Sequence, residues 1–177
     1  MTLKKAKFIK TKKKIKASVF DLHFDEVKWV NGNKTIRDLI VHNGITCIVP
    51  IIDKKFVVLL KQYRYGSDQI MLEVPAGTID PGEKPLGCAK RELIEETGYY
   101  GKNWKMIGKY FSTPAYNTCL VHCYLTHCYK KSETNLDEDE VLETSIYSIN
   151  EVKKLLRENK INDMKTYISL DRFVKFY

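Results

Sequence analysis

The chain has 177 residues, 44% of them apolar, enough to build a globular fold with a substantial core. No apolar run approaches the roughly 20 residues that span a bilayer, and no apolar stretch of about 7–15 residues follows the basic N-terminus. Neither a membrane segment nor a secretory signal is expected, and the reading is cytoplasmic. The formal net charge of +8 suggests nucleic acid, but residues 1–16 hold eight lysines and no acid, and the remainder carries 22 bases and 22 acids. The excess is therefore expected to be a solvated N-terminal arm over 1–16, partly frayed, to which any nucleic-acid or anionic-surface contact is confined.

After the arm, "VFDLHFDEVKWV" alternates in part, as strands do. "NGN" at Asn31–Asn33 signals a hairpin, and "KTIRDLIVH" reads as the returning strand, which predicts a small antiparallel sheet over 17–42. "ITCIVPII" and "KFVVLLKQY" read as buried strands joined by a turn at Asp53–Lys54, and "IMLEVPAG" as a short strand closed by Pro75 and Gly77. "TIDPGEKP" is a loop with a Pro81–Gly82 turn. A helix is predicted from about Pro85 to Thr97, because proline suits the first turn and Gly98 the position just past the end. Its expected packing stripe is Leu86, Ala89, Leu93 and Thr97. Strands follow near 106–111, 118–127 and 142–147, then the helix "NEVKKLLREN" and a last helix from near Asp163. Mixed strands with few helices predict an α/β or α+β sandwich over residues 43–177.

The five cysteines, with no signal peptide, argue against a disulfide framework. "CLVHCYLTHCYK" has the residue types of a metal site, but as a strand it puts Cys119 and Cys123 about 13 Å apart. Zinc holds sulfur at about 2.3 Å, so reduced, packed cysteines are expected.

"RELIEETG" is less ordinary. Glu92, Glu95 and Glu96 fall at i, i+3 and i+4 on one helix face, where each like-charge pair costs roughly 0.2–0.5 kcal/mol. Arg91 alone does not neutralise three acids. Either the face is simply solvated, or the carboxylates serve a divalent cation, which takes hard oxygen ligands together with substrate phosphates.

The segment "GTIDPGEKPLGCAKRELIEETGY", Gly77 to Tyr99, resembles the Nudix box. Gly77, Glu83, Arg91, Glu92, Leu93, Glu95, Glu96 and Gly98 stand at its positions, and the one departure is Tyr99 where an aliphatic residue is usual. Seven fixed positions at roughly 7% each match by chance on the order of once in 10⁸ starts. The resemblance implies the Nudix fold, a mixed sheet between helices, and hydrolysis of a nucleoside diphosphate linked to another group. It implies Glu92, Glu96 and the carbonyl of Ala76 as metal ligands, with Glu95 in the same cluster. Arg91 and Glu83 would orient the carboxylates. Two or three magnesium ions, or manganese, would be held.

The flank "VVLLKQYRYGSDQIMLEVPAGTIDPGE" is similar to the ADP-ribose pyrophosphatase subfamily, and "TIRDLIVHNGI" to its N-terminal sheet, which helps form a homodimer and the nucleotide site. That subfamily is marked by a proline about 15 residues past the box, and Pro114 stands 15 past Tyr99, although Ala115 replaces the usual glycine. Tyr116 matches a tyrosine of dinucleoside polyphosphate hydrolases. By the same resemblance a loop carboxylate acts as base. "NLDEDEVLE" points to Glu140, with Glu138 in reserve. Arg37 and Arg64 are candidates for phosphate contacts, Trp29 for stacking on the nucleotide, and Glu73 for the metal or substrate shell. The function expected is hydrolysis of ADP-ribose or a related nucleoside diphosphate sugar to AMP and a sugar phosphate. Alternatives are cleavage of dinucleoside polyphosphates, RNA 5′ ends or oxidised nucleotides, and a non-catalytic nucleotide-binding module.

Overall fold

A computed structural model describes residues 4–134 and 141–176 of the chain, and nothing of the Lys130 and Lys131 side chains. The chain divides into two units, the first comprising residues up to Gly44 with Phe111–Leu120, the second Ile45–Tyr110 with Val121–Tyr177.

The first unit is a three-stranded antiparallel sheet in the order β1 (Lys7–Lys16), β2 (Asp21–Lys28), β3 (Lys34–Val41). The hairpin between β2 and β3 closes through the Trp29 N–H to Asn33 carbonyl bond at 2.8 Å, and Gly32 takes φ +89°, open to glycine at no steric cost. The lysine segment departs from expectation. Residues 7–16 are not a frayed arm but a strand paired along β2. The acids of β2 account for this, since Lys16 faces Asp21, Lys10 faces Glu26 and Thr11 donates to Asp25 Oδ1 at 2.7 Å. Opposite charges across a strand pair contribute roughly 0.2–1 kcal/mol each. The strand buries none of its side chains, so no hydrophobic alternation announced it.

The second unit holds a seven-stranded mixed sheet in the order β10-β5-β4-β9-β8. Its strands are β4 (Ile45–Ile52), β5 (Phe56–Arg64), β6 (Gln69–Glu73), β7 (Ala76–Thr78), β8 (Tyr99–Phe111), β9 (Leu120–Lys131) and β10 (Leu142–Ser148), with β6 on β5 and β7 on β4. The central pair β4–β9 is parallel. Parallel strands are buried on both faces, which is why β4 reads as a nearly continuous apolar run and β9 is buried from Val121 to Thr126. Cys47, Val49 and Ile51 of β4 pack on one face with Val121, Cys123 and Leu125 of β9, beneath helices α2 (Ile149–Arg157) and α3 (Met164–Phe176). Ile48 and Tyr124 point the other way, onto Ala89 and Leu93 of helix α1 (Pro85–Thr97). The sheet thus lies between helices, the mixed α+β architecture expected. β8 begins at Tyr99, seven residues earlier than the predicted strand near 106. Its first half mixes half-buried aromatic residues with the exposed Lys102 and Asn103, and Asn103 breaks the pattern with φ +56°. No helix among the described residues is long and apolar enough to cross a membrane.

Candidate active site

Helix α1 has the predicted limits. Pro85 opens it, and Gly98 closes it in the left-handed conformation at φ +71°, with its N–H bonded to the Ile94 carbonyl at 2.8 Å. Its buried stripe differs from the one expected. Cys88, Ala89, Glu92, Leu93, Glu96 and Thr97 are buried, whereas Leu86 is 37% exposed. Ala89 and Leu93 face the sheet, their i, i+4 row continues to Thr97, and the adjoining i, i+4 row of Cys88, Glu92 and Glu96 is buried beside it. Two of the three clustered carboxylates are therefore buried, at 8% exposure for Glu92 and 2% for Glu96.

The helix meets the short strand β7 at these carboxylates. The Ala76 N–H donates to Glu96 Oε2 at 2.9 Å. At Gly77 the Glu92 carboxylate lies against the backbone, in the space a β-carbon would fill. Arg91 binds much of the rest. Its Nη1 donates to Glu92 Oε1 at 2.7 Å and Glu95 Oε2 at 2.9 Å, while Nε and Nη2 reach the two Glu83 oxygens at 3.3 and 3.2 Å. Nη2 also donates to the Thr78 carbonyl at 3.2 Å. The hydrogen bonds to Glu83, followed by the nearby Glu92 charge, outweigh burial and raise the guanidinium above its usual value. The same Arg91 bonds hold the Glu83 carboxyl below the ordinary range. One arginine thus bridges two of the three crowded acids and ties both to the loop before the helix.

A second ionic cluster stands on β5, β6 and α3. Arg64 grips Glu73 with two bonds of 2.8 Å each, and Lys165 donates to the same carboxylate. Lys165 also pairs with Asp163 at 2.9 Å. Burial pushes the Glu73 carboxyl up, but Arg64 and Lys165 outweigh it and the net shift is downward. Arg64 is raised, first by Glu73, and Glu96 adds to the effect, so the field of a box carboxylate reaches this arginine. Asp163 accepts from the Thr166 N–H at 2.9 Å, and Thr166 Oγ1 accepts from the Val74 N–H at 3.0 Å, which fastens the start of α3 beside the strand that leads to Ala76. Sequence reasoning named Arg64 and Glu73 but missed Lys165, a partner 92 residues away from Glu73. His122 was noticed only among cysteines. It pairs in register with Thr46, which faces Gly77 across β4–β7, and its buried Nδ1 has no hydrogen-bond partner among the described residues.

The remaining candidates belong to the first unit or fall outside the described residues. Trp29 and Arg37 belong to the first unit, where the Arg37 guanidinium sits 5.7 Å from the Trp29 ring and the indole N–H donates to Thr35 at 2.8 Å. Pro114 is exposed in a turn of the same unit, in which the Asn117 N–H bonds to the Thr113 carbonyl at 3.0 Å. Glu138 and Glu140 fall outside the described residues. The cysteine-rich segment is β9, and all five cysteines are free thiols.

A family model described as the NUDIX domain matches residues 42–168. The chain belongs to the NUDIX domain family. A protein of Bacillus methanolicus named methanol dehydrogenase activator is 31% identical over 93% of this chain and 90% of its own length. An ADP-ribose pyrophosphatase of Bacillus subtilis is 31% identical over 84% of this chain and 81% of its own. A crystal structure titled as an ADP compounds hydrolase superposes with a TM-score of 0.85 at 23% identity, over 99% of this chain and 96% of that one, and shares the fold.

Nudix ADP-ribose pyrophosphatases generally use divalent metals. Among the described residues no three His, Cys, Asp or Glu side chains stand together as a metal site. The donor set fits a hard cation in another way. Two buried carboxylates converge on the backbone at Ala76 and Gly77, where a missing β-carbon leaves space for Glu92. Magnesium commonly takes only one or two carboxylates, with substrate phosphates and water filling its other positions.

Proposed function

We propose that this chain hydrolyses the pyrophosphate bond of ADP-ribose or a related nucleoside diphosphate sugar, with magnesium or manganese, two or three ions per site. The observation that carries the reading is the approach of Glu92 and Glu96 to the Ala76–Gly77 backbone, with Arg91 binding the carboxylates around it. Glu92, Glu96 and the Ala76 carbonyl would hold the metal, with Glu95 beside them. The bound cation would polarise the phosphate and lower the pKa of a water. Arg91 and Glu83 keep the carboxylates oriented, so little reorganisation accompanies reaction. Arg64, steadied by Glu73 and Lys165, offers a guanidinium to phosphate oxygens. Glu140, or Glu138 in its place, takes the proton of the attacking water. Water adds to one phosphorus, the bridging P–O bond breaks, and ADP-ribose gives AMP and ribose 5-phosphate.

Trp29, Arg37 and Pro114 take the nucleotide in this reading. Exposed apolar side chains on the first unit, Phe8, Val19, Val30 and Ile36, support a homodimer. The protein acts in the cytoplasm. The relative named as an activator of methanol dehydrogenase favours a second reading, activation of such a dehydrogenase, tested by adding this protein to that enzyme's assay.

The test of the main reading is AMP release from ADP-ribose with magnesium, beside a panel of nucleoside diphosphate sugars and diadenosine polyphosphates. Turnover of ADP-ribose or another diphosphate sugar, falling by orders of magnitude in Glu96→Gln with an unchanged melt, is expected. Rapid cleavage of a diadenosine polyphosphate without ADP-ribose turnover refutes the substrate. A near-normal rate in Glu96→Gln refutes the metal role.

A further inference from the structure

Two adjoining cavities lie at the other end of the large sheet. His127, which lines both, is five residues along β9 from His122, and so roughly 16 Å from the strand position level with Thr46 and Gly77. One cavity, of about 220 Å³, is floored by Ile107, Leu125 and Phe173 and bordered by Phe176 and Lys105. These floor residues belong to the core on the face opposite α1. The other cavity, of about 330 Å³, is lined by Lys54, Lys102 and the single carboxylate Asp53. Asn103 is the second residue common to both. Its left-handed backbone, at φ +56°, interrupts β8 between Lys102 and Lys105.

The two compartments differ in chemistry. The first offers apolar surface, with Phe176 held under the Arg172 guanidinium at 4.4 Å. The second offers ammonium groups, three lysines across the pair of cavities against one acid. Small-molecule sites combine an apolar lining with a few placed polar groups in about 300–1,000 Å³. One cavity alone falls below that range and the other stands at its lower end, which favours a small body.

We propose that the joined cavities bind a small amphiphilic anion, a short alkyl chain or aromatic ring ending in a carboxylate. The apolar body occupies the Ile107–Leu125–Phe173 compartment, and the carboxylate faces Lys102 and Lys105 with Asn103 and His127 between.

Octanoate is the probe, titrated calorimetrically into the intact protein beside 1-octanol and acetate. Saturable octanoate binding at one site is expected, about tenfold or more tighter than either control, from a charge-assisted hydrogen bond added to apolar burial. The exposed pair K102E/K105E should weaken octanoate about tenfold, leave 1-octanol unchanged and keep the wild-type melt and pyrophosphatase rate. Phe176→Ala should weaken octanoate and 1-octanol alike. Octanoate binding no tighter than 1-octanol, or unaltered in K102E/K105E, overturns the proposal. Displacement of octanoate by saturating AMP places it in the nucleotide site and overturns it equally. The proposal does not depend on the hydrolytic reading, since each result that overturns it is read from binding.

Discussion

Gly77→Ala separates the two things a box glycine could do. Its φ lies outside the left-handed range, so glycine is not there for the backbone. A β-carbon at this position would lie 2.5 Å from Glu92 Oε2 and closer still to Oε1 and the carboxyl carbon. Ordinary contact begins near 3.4 Å, so even the farther oxygen has to retreat by about 0.9 Å. That movement also draws Oε1 away from its 2.7 Å bond with Arg91. A misplacement of about 1 Å in a catalytic constellation costs on the order of 10²-fold in rate.

The effect on stability should be small. The obstructing atoms are the end of a flexible side chain, and an off-rotamer torsion costs roughly 0.5–1.5 kcal/mol. Replacing glycine where alanine fits the backbone returns about 0.4–1 kcal/mol through the unfolded chain. The net change should stay within about 1–2 kcal/mol. The assay pairs ADP-ribose turnover under magnesium with a denaturant melt. A fall of about 100-fold or more in kcat with a nearly unchanged melt is expected. Gly82→Ala is the control, because Gly82 has φ +83° and open space around it, and should lose some stability with little change in kcat. Wild-type kcat in Gly77→Ala would refute the argument that Glu92 must occupy that space.

Gly98→Ala should show the opposite pattern. Its φ of +71° costs an L-residue about 1–2 kcal/mol, and a β-carbon would press on the Ser132 backbone carbonyl, so stability falls by more than about 2 kcal/mol while the folded fraction retains its kcat. Glu73→Gln leaves Arg64 and Lys165 without their carboxylate and should cost about 2–4 kcal/mol in a denaturant titration. Because the folded Glu73 carboxyl sits below its ordinary 4.5, its contribution is complete above that pH and lost as pH falls through the folded value. Wild-type stability should therefore drop more steeply than that of Glu73→Gln below about pH 4.5, and parallel curves would refute the assignment. Millimolar magnesium or manganese should raise the wild-type melt, by about 1.4 kcal/mol at ten times Kd, and do so far less in Glu96→Gln.

The readable parts of the sequence were those where a local residue type has a single physical consequence. Pro85 and Gly98 delimit α1 because one lacks a donor the first turn does not need and the other tolerates the left-handed cap. β4 and β9 read as strands because their runs supply both faces of the core. The parts that were not readable depend on partners far along the chain. β1 becomes a strand because β2 brings Asp21 and Glu26 against its lysines and Asp25 against Thr11. Lys165 acquires its role only when α3 is fastened beside Val74.

The packing stripe of α1 belongs to both classes. A reader seeking apolar residues at i, i+3 and i+4 chooses Leu86, yet the sheet faces Cys88, Glu92 and Glu96. Burying a carboxylate costs several kcal/mol unless it is bonded, and an apolar residue at either position would avoid that cost. The fold instead supplies Arg91 to Glu92 and the Ala76 N–H to Glu96, and omits a side chain at Gly77 to make room. Packing alone gives no reason for this arrangement. A local rule broken at one place and compensated by three separate devices marks where selection acted on chemistry rather than stability. The crowding of Glu92, Glu95 and Glu96 is therefore evidence of function independent of any resemblance.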